Sequence, residues 1–240
     1  MISLGILSYG TGTLLFLIMS LVLLTGQQGR SRKNALKFAA VVSTVWLGFT
    51  AVAIYYDVSF FSYLVEPVRS FSWLLFLGYI LVSSVTDTRM ASRQLRKTIL
   101  FAASYTTLLV MIVLYRLFAG PLATIFLGVD VLFAGLLLVA IAGLVLVEQI
   151  MRNSHVESRR AVKYLCIGLG VIFAYDFYLY SNALMFQTLD VTLWEARGFV
   201  NAMAVPVLGT VSYTHLRAHE TLGSISYAVF CLKKGGGGGG

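Results

Sequence analysis

Seven long apolar runs, at about residues 3–25, 36–56, 68–85, 98–118, 124–147, 163–184 and 197–210, leave this chain few ways to fold. A helix needs about 20 mostly apolar residues to cross a bilayer, whereas a barrel strand alternates polar and apolar residues over about ten. These runs are unbroken and of helical length. The composition agrees: 58% of the chain is hydrophobic and 12% charged, against roughly a quarter charged in soluble domains. The expected class is all-α, a polytopic membrane helix bundle of about seven transmembrane helices embedded in the lipid bilayer.

Charge between the runs sets the orientation. The first, third and fifth loops hold Arg30, Arg32, Lys33 and Lys37, then Arg89, Arg93, Arg96 and Lys97, then Arg152, Arg159, Arg160 and Lys163. The alternate loops and their span ends hold Arg69, Arg116 and Arg197. Basic residues gather on the cytoplasmic side, so the N-terminus is expected outside and helix seven runs inward. The net charge of +8 therefore reports topology, and no nucleic acid partner is expected. The first run lacks a basic leader and a small-residue cleavage site, and reads as a retained anchor.

The character of the chain changes at Thr210. Val211 to Thr221, VSYTHLRAHET, resembles the translation of a transposase sequencing adapter, and Ile225 to Gly240 resembles that of a flow-cell adapter followed by A and G runs. Residues 1–209 are accordingly read as a membrane-embedded domain, and 210–240 as a disordered, translated adapter artefact. The alternative is a basic cytoplasmic linker ending in flexible glycine. Excluding the tail removes His215, His219 and Cys231 and lowers the net charge from +8 to +6. The stretch from Arg197 to Gly209 is short for a full crossing, so the seventh helix is expected to be incomplete.

Little catalytic chemistry is visible in what remains. His155 lies in a polar loop, MRNSHVESRR, without the acidic neighbour and dimerising helix of a phosphoacceptor. Neither a nucleophile–base set nor a phosphate-binding glycine loop is found, so no catalytic residue, cofactor or metal is expected and the fragment is not read as an enzyme. Cys166 stands within a span and suggests no disulfide framework.

The strongest candidate is Asp176, set in the apolar run LGVIFAYDFYLYSNALMF with Tyr175, Tyr178 and Tyr180 around it. An intramembrane carboxylate is costly and tends to be paired, hydrated or functional. Asn201, one turn into helix seven from Arg197, enters from the same outer side. Two readings stay open: Asp176 fixes helix packing by bonding Asn201 or a tyrosine, or it belongs to an outward-facing sensing site or a proton-sensitive switch. Asp130 and Glu148 are expected at the interfaces. Asp57 to Ser70, DVSFFSYLVEPVRS, reads as an interfacial outer segment, alternatively as a lid, and Trp194, Glu195 and Arg197 as anchors at the outer mouth. Gly168, Gly170 and Ala174 allow a neighbour to approach helix six closely.

The run from Val147 to Pro206, with LGVIFAYDFYLYSNALMF and WEARGFVNAMAVP, resembles the membrane sensor region of the PrsK-type histidine kinases of PEP-CTERM and exosortase systems. The resemblance implies a sensor in the bacterial inner membrane, followed in the full-length protein by a GAF-like domain and an ATP-dependent kinase. It further implies homodimerisation through that kinase region and a response regulator controlling exopolysaccharide and PEP-CTERM protein expression. Those cytoplasmic motifs are not in this sequence. The competing expectation is a small stand-alone seven-helix transporter or membrane protein, although the paired broken helices of many transporters are not evident. A retinal protein fits less well, since helix seven carries no lysine for a Schiff base.

Overall fold

A computed structural model describes residues 4–25, 31–56, 60–82, 88–120, 124–126, 129–153 and 159–209. The adapter-like tail, His155 and residues 57–59 of the outer segment lie outside the described residues. The architecture is the expected helix bundle. In chain order it comprises α1 (Leu4–Thr25), α2 (Ser31–Tyr55), α3 (Phe60–Val82), α4 (Thr88–Ala119), α5 (Val131–Asn153), α6 (Arg159–Phe186) and α7 (residues 191–209). Between α4 and α5 a two-residue hairpin pairs β1 (Ile125–Phe126) with β2 (Val129–Asp130), in antiparallel register Ile125 to Asp130.

Six of the helices, α1 to α6, are long and apolar enough to cross a membrane. Their outer faces carry large exposed apolar side chains, such as Leu14, Ile18 and Val22 on α1 and Phe101, Leu108 and Met111 on α4. Such side chains suit lipid, where they cost nothing, and the bundle therefore packs through shape and polar contacts rather than by hiding hydrophobic surface. Consecutive helices α1, α2 and α3 pack side by side, and α3 also meets α4 and α5, with α6 against α5. Trp73 on α3 donates its indole N–H to Ser43 on α2 at 2.9 Å, and Tyr105 on α4 donates to the Gly135 carbonyl on α5 at 3.0 Å. The described basic side chains of the first, third and fifth connections include Arg96, Lys97, Arg152 and Lys163, all exposed at one end of the bundle.

Three boundaries differ from the sequence expectation, and each matters to the site. Helix α3 starts at Phe60 rather than near residue 68, so it takes Glu66, Pro67 and Arg69 into its interior. The expectation of an interfacial segment through Ser70 is thus corrected for residues 60–70. Pro67 removes one backbone bond, to the carbonyl of Tyr63, a loss that membrane helices tolerate. Helix α7 starts at residue 191 rather than 197, because Asp190 caps it: its Oδ1 accepts the backbone N–H of Thr192 at 2.8 Å and of Leu193 at 3.3 Å. At 1.5 Å per residue the described helix is about 28 Å long. Helix α5 starts at Val131, so Asp130 precedes it, accepting the Leu132 N–H at 3.0 Å as a cap.

Glycine sets the closest helix approach. A Cβ on Gly198 of α7 would lie 2.5 Å from the Ser8 backbone carbon and 2.6 Å from the Tyr9 nitrogen, so only glycine lets α7 and α1 touch there. Gly168 packs closely against Leu208 of α7, whereas Ala174 is exposed.

Candidate functional site: a buried ionic centre

On α3, Ser62, Glu66 and Arg69 fall at i, i+4 and i+7, one face of a helix. On α7, Trp194, Arg197 and Asn201 fall at i, i+3 and i+7, again one face. The bundle turns these two polar ladders towards each other and towards Asp176 of α6. Arg69, Arg197, Glu66, Asp176 and Asn201 are all buried, none more than 3% exposed.

Asp176 lies between two guanidinium groups. Its Oδ2 accepts from Arg69 Nη2 at 2.6 Å and its Oδ1 from Arg197 Nε at 2.7 Å. Arg197 Nη1 makes a second ion pair with Glu66 Oε1, and the same oxygen accepts the Tyr180 hydroxyl of α6. Arg69 Nη1 donates to Asn201 Oδ1 at 3.2 Å, and Asn201 Nδ2 donates to the Arg197 carbonyl at 2.9 Å. The Trp46 ring of α2 takes both cations, with the Arg69 Cζ 4.2 Å and the Arg197 Cζ 4.8 Å from its centroid. Two cations and two carboxylates cancel, which makes so many charges tolerable away from water. Charge pairing at this depth stabilises only when each partner is present, because removing one leaves the other buried and uncompensated.

A shell of aromatic and backbone contacts fixes α1 and α7 around the centre. Tyr9 of α1 packs edge-on against Trp46, with ring centroids 5.8 Å apart, and donates its hydroxyl to the Trp194 carbonyl of α7 at 2.7 Å. Ser8 donates to the Glu195 carbonyl one residue further on. Tyr175 of α6 donates to the Leu193 carbonyl at 2.7 Å, so the first turn of α7 is held from both sides.

Depth agrees among helices of opposite direction. Arg69 lies nine residues from the outer end of α3, Trp46 nine from that of α2, and Asp176 ten from that of α6. Each is about 13–15 Å along its helix from the end assigned to the outside. Arg197 is six residues into α7, about 9 Å. The centre therefore occupies the outer half of the bundle.

The sequence candidates meet this geometry unevenly. Asp176 and Arg197 are directly bonded, but Arg197 is fully buried rather than an anchor at the outer mouth. Asn201 belongs to the centre yet bonds Arg69 and the α7 backbone, and both oxygens of Asp176 go to arginine. Asp130 stands apart, buried at the hairpin, where it pairs with Arg116 of α4 at 2.7 Å. Glu148 forms an exposed i,i+4 pair with Arg152 at the inner end of α5. Of the three tyrosines, Tyr180 joins the centre, Tyr175 holds α7 and Tyr178 is exposed. Sequence reading missed Glu66 and Arg69 as members. The helical spacing of Ser62, Glu66, Arg69 and Trp73 was the available signal, and Pro67 masked it.

No protein family, curated protein or solved structure matches the chain. The helices and the ionic centre are therefore the basis for a functional reading.

Proposed function

We propose that this chain is a multi-pass signal-sensing module of a bacterial inner membrane, the input half of a two-component histidine kinase. The carrying observation is that α7, the helix running towards the basic, cytoplasmic side, is held at its outer half by the ionic centre. Its Arg197 bonds α6 through Asp176 and α3 through Glu66, while its backbone accepts Tyr9 and Ser8 from α1. A stimulus that favours another arrangement of these charges would shift α7 relative to α1, α3 and α6. A ligand moves such an equilibrium only by its differential affinity for the two arrangements, and a ligand that competes for the arginines of the centre has one.

The resemblance of Val147 to Pro206 to PrsK-type sensors supports the same reading. On it, phosphotransfer belongs to a cytoplasmic kinase region with its dimer contacts and response regulator, and the membrane part contributes no catalytic residue. Intramembrane ionisable residues that face the bundle interior mark functional sites by default, and here four converge. The test is an Asp176→Asn substitution in the full-length protein, read by reporter output and by membrane insertion. Altered output with normal insertion supports the sensing role. Unchanged output in a correctly inserted protein reduces the centre to packing and removes the reading.

A further inference from the structure

The ionic centre holds more donors than it uses. Among the described residues, Arg69 Nε, Arg197 Nη2, Trp46 Nε1, Trp194 Nε1 and Ser62 Oγ are buried without a hydrogen-bond partner, and Arg197 Nη1 has only its ion pair with Glu66. Buried polar groups are nearly always satisfied. Five of these six atoms are nitrogens that can only donate, so what complements them accepts. Their placement is ordered along the two ladders. Ser62 and Trp194 lie about one turn outward of Glu66 and Arg197, and Arg69 and Trp46 lie deeper. The three deepest belong to neighbouring side chains, since the Cζ of each guanidinium stands within 5 Å of the Trp46 ring centroid.

We infer that this centre binds a small monocarboxylate arriving from the outer face, its oxygens held by Arg197 Nη2, Arg69 Nε and the Trp46 indole N–H, and that it enters together with one proton, which Glu66 takes up. Charge balance requires the proton. The centre is neutral with both arginines and both carboxylates ionised, so an anion alone would leave one negative charge uncompensated in a medium that strongly penalises it. Arg197 exchanges its ion pair with Glu66 for one with the ligand. Glu66 becomes the neutral acid and keeps the Tyr180 hydroxyl, while Asp176 stays between the two arginines. Glu66 is the group suited to the change. It contacts Arg197 on α7 and Tyr180 on α6, and the other titratable groups near enough to act on it electrostatically are Arg69 and Tyr63 on its own helix, Asp176 on α6 and Tyr9 on α1. Asp176, by contrast, has both oxygens bound to arginine. Release of Arg197 from Glu66 loosens α7 from α3, so the inference deepens the sensing reading and rests on it for its consequence, though not for binding.

The experiment measures acetate binding to the purified chain in lipid nanodiscs, by calorimetry and tryptophan fluorescence, with chloride as the control anion. Wild type should bind acetate saturably, with an apparent Kd that rises about tenfold per pH unit while one proton accompanies the ligand. Glu66→Gln, which imitates the protonated acid, should bind more tightly at neutral pH and lose the pH dependence. Trp46→Phe, which keeps the ring and removes the indole N–H, should weaken binding several-fold and keep the pH slope. Absence of saturable binding, pH-independent binding by wild type, or a pH slope retained in Glu66→Gln overturns the inference. If Glu66→Gln does not fold, unchanged affinity in Trp46→Phe overturns it instead. Binding without any effect of acetate on signalling would sink the sensing reading alone, and a signalling defect in Asp176→Asn without acetate binding would sink the ligand alone.

Discussion

Asp176→Asn isolates what the ionic centre contributes to the fold. Asparagine keeps the shape of the side chain but not its bonding, because only its carbonyl accepts and its amide would point donors at a guanidinium. One of the two arginine bonds, at 2.6 and 2.7 Å, is then lost and the centre carries a net positive charge. Breaking a buried ion pair by removing one partner costs about 3–5 kcal/mol. Arg69→Gln makes the opposite imbalance, a net negative centre, at a similar cost. The double variant is neutral again, with Arg197 and Glu66 still paired. Its loss should fall short of the sum of the single losses by at least about 1 kcal/mol, as expected for residues in one network. Equilibrium unfolding in mixed lipid and detergent micelles measures all three. Asp190→Asn is the control, because this exposed residue caps α7 and asparagine caps about as well, so the change should be near zero. Strictly additive single losses would refute the coupling, and a small loss in Asp176→Asn, comparable with the control, would refute the burial argument.

Three further outcomes follow from other contacts. Gly198→Ala places a Cβ against the Ser8 and Tyr9 backbone, so it should cost about 1–3 kcal/mol by overpacking and reduce disulfide trapping between cysteines introduced on α1 and α7. Asp190→Ala should cost about 1 kcal/mol through loss of the cap, seen as faster amide exchange at Thr192 and Leu193. Arg152→Ala should be close to neutral, within about 0.5 kcal/mol in the same unfolding assay, because its pair with Glu148 is exposed.

Much of the fold was legible because lipid demands long apolar helices, and composition registers that demand directly. The site was legible only where polarity broke an otherwise apolar run, as Asp176 does. Glu66 and Arg69 sit in a stretch that also contains Asp57, Pro67 and Ser70, and average polarity there resembles an interface. Hydropathy cannot distinguish a charge facing solvent from one facing an opposite charge on another helix. That distinction needs the partner's position, and the partners are over 100 residues apart in the chain. Arg197 was misplaced for a more local reason. The apolar run marks a start at about residue 197, although Asp190 offers a cap signal seven residues before it. The α4–α5 hairpin left no comparable signal, since its strands are two residues each and continue into apolar sequence.

Asp176 joins α3 and α7 to α6 through two arginines inside the membrane. Solid-state NMR on the protein in lipid bilayers, recoupling the Asp176 carboxyl carbon to arginine guanidinium nitrogens, tests it most directly. Strong dephasing from both Arg69 and Arg197 is expected, each signal lost only when its own arginine is substituted. An Asp176 carboxyl carbon without an arginine contact, or one exchanging freely with water, would contradict it.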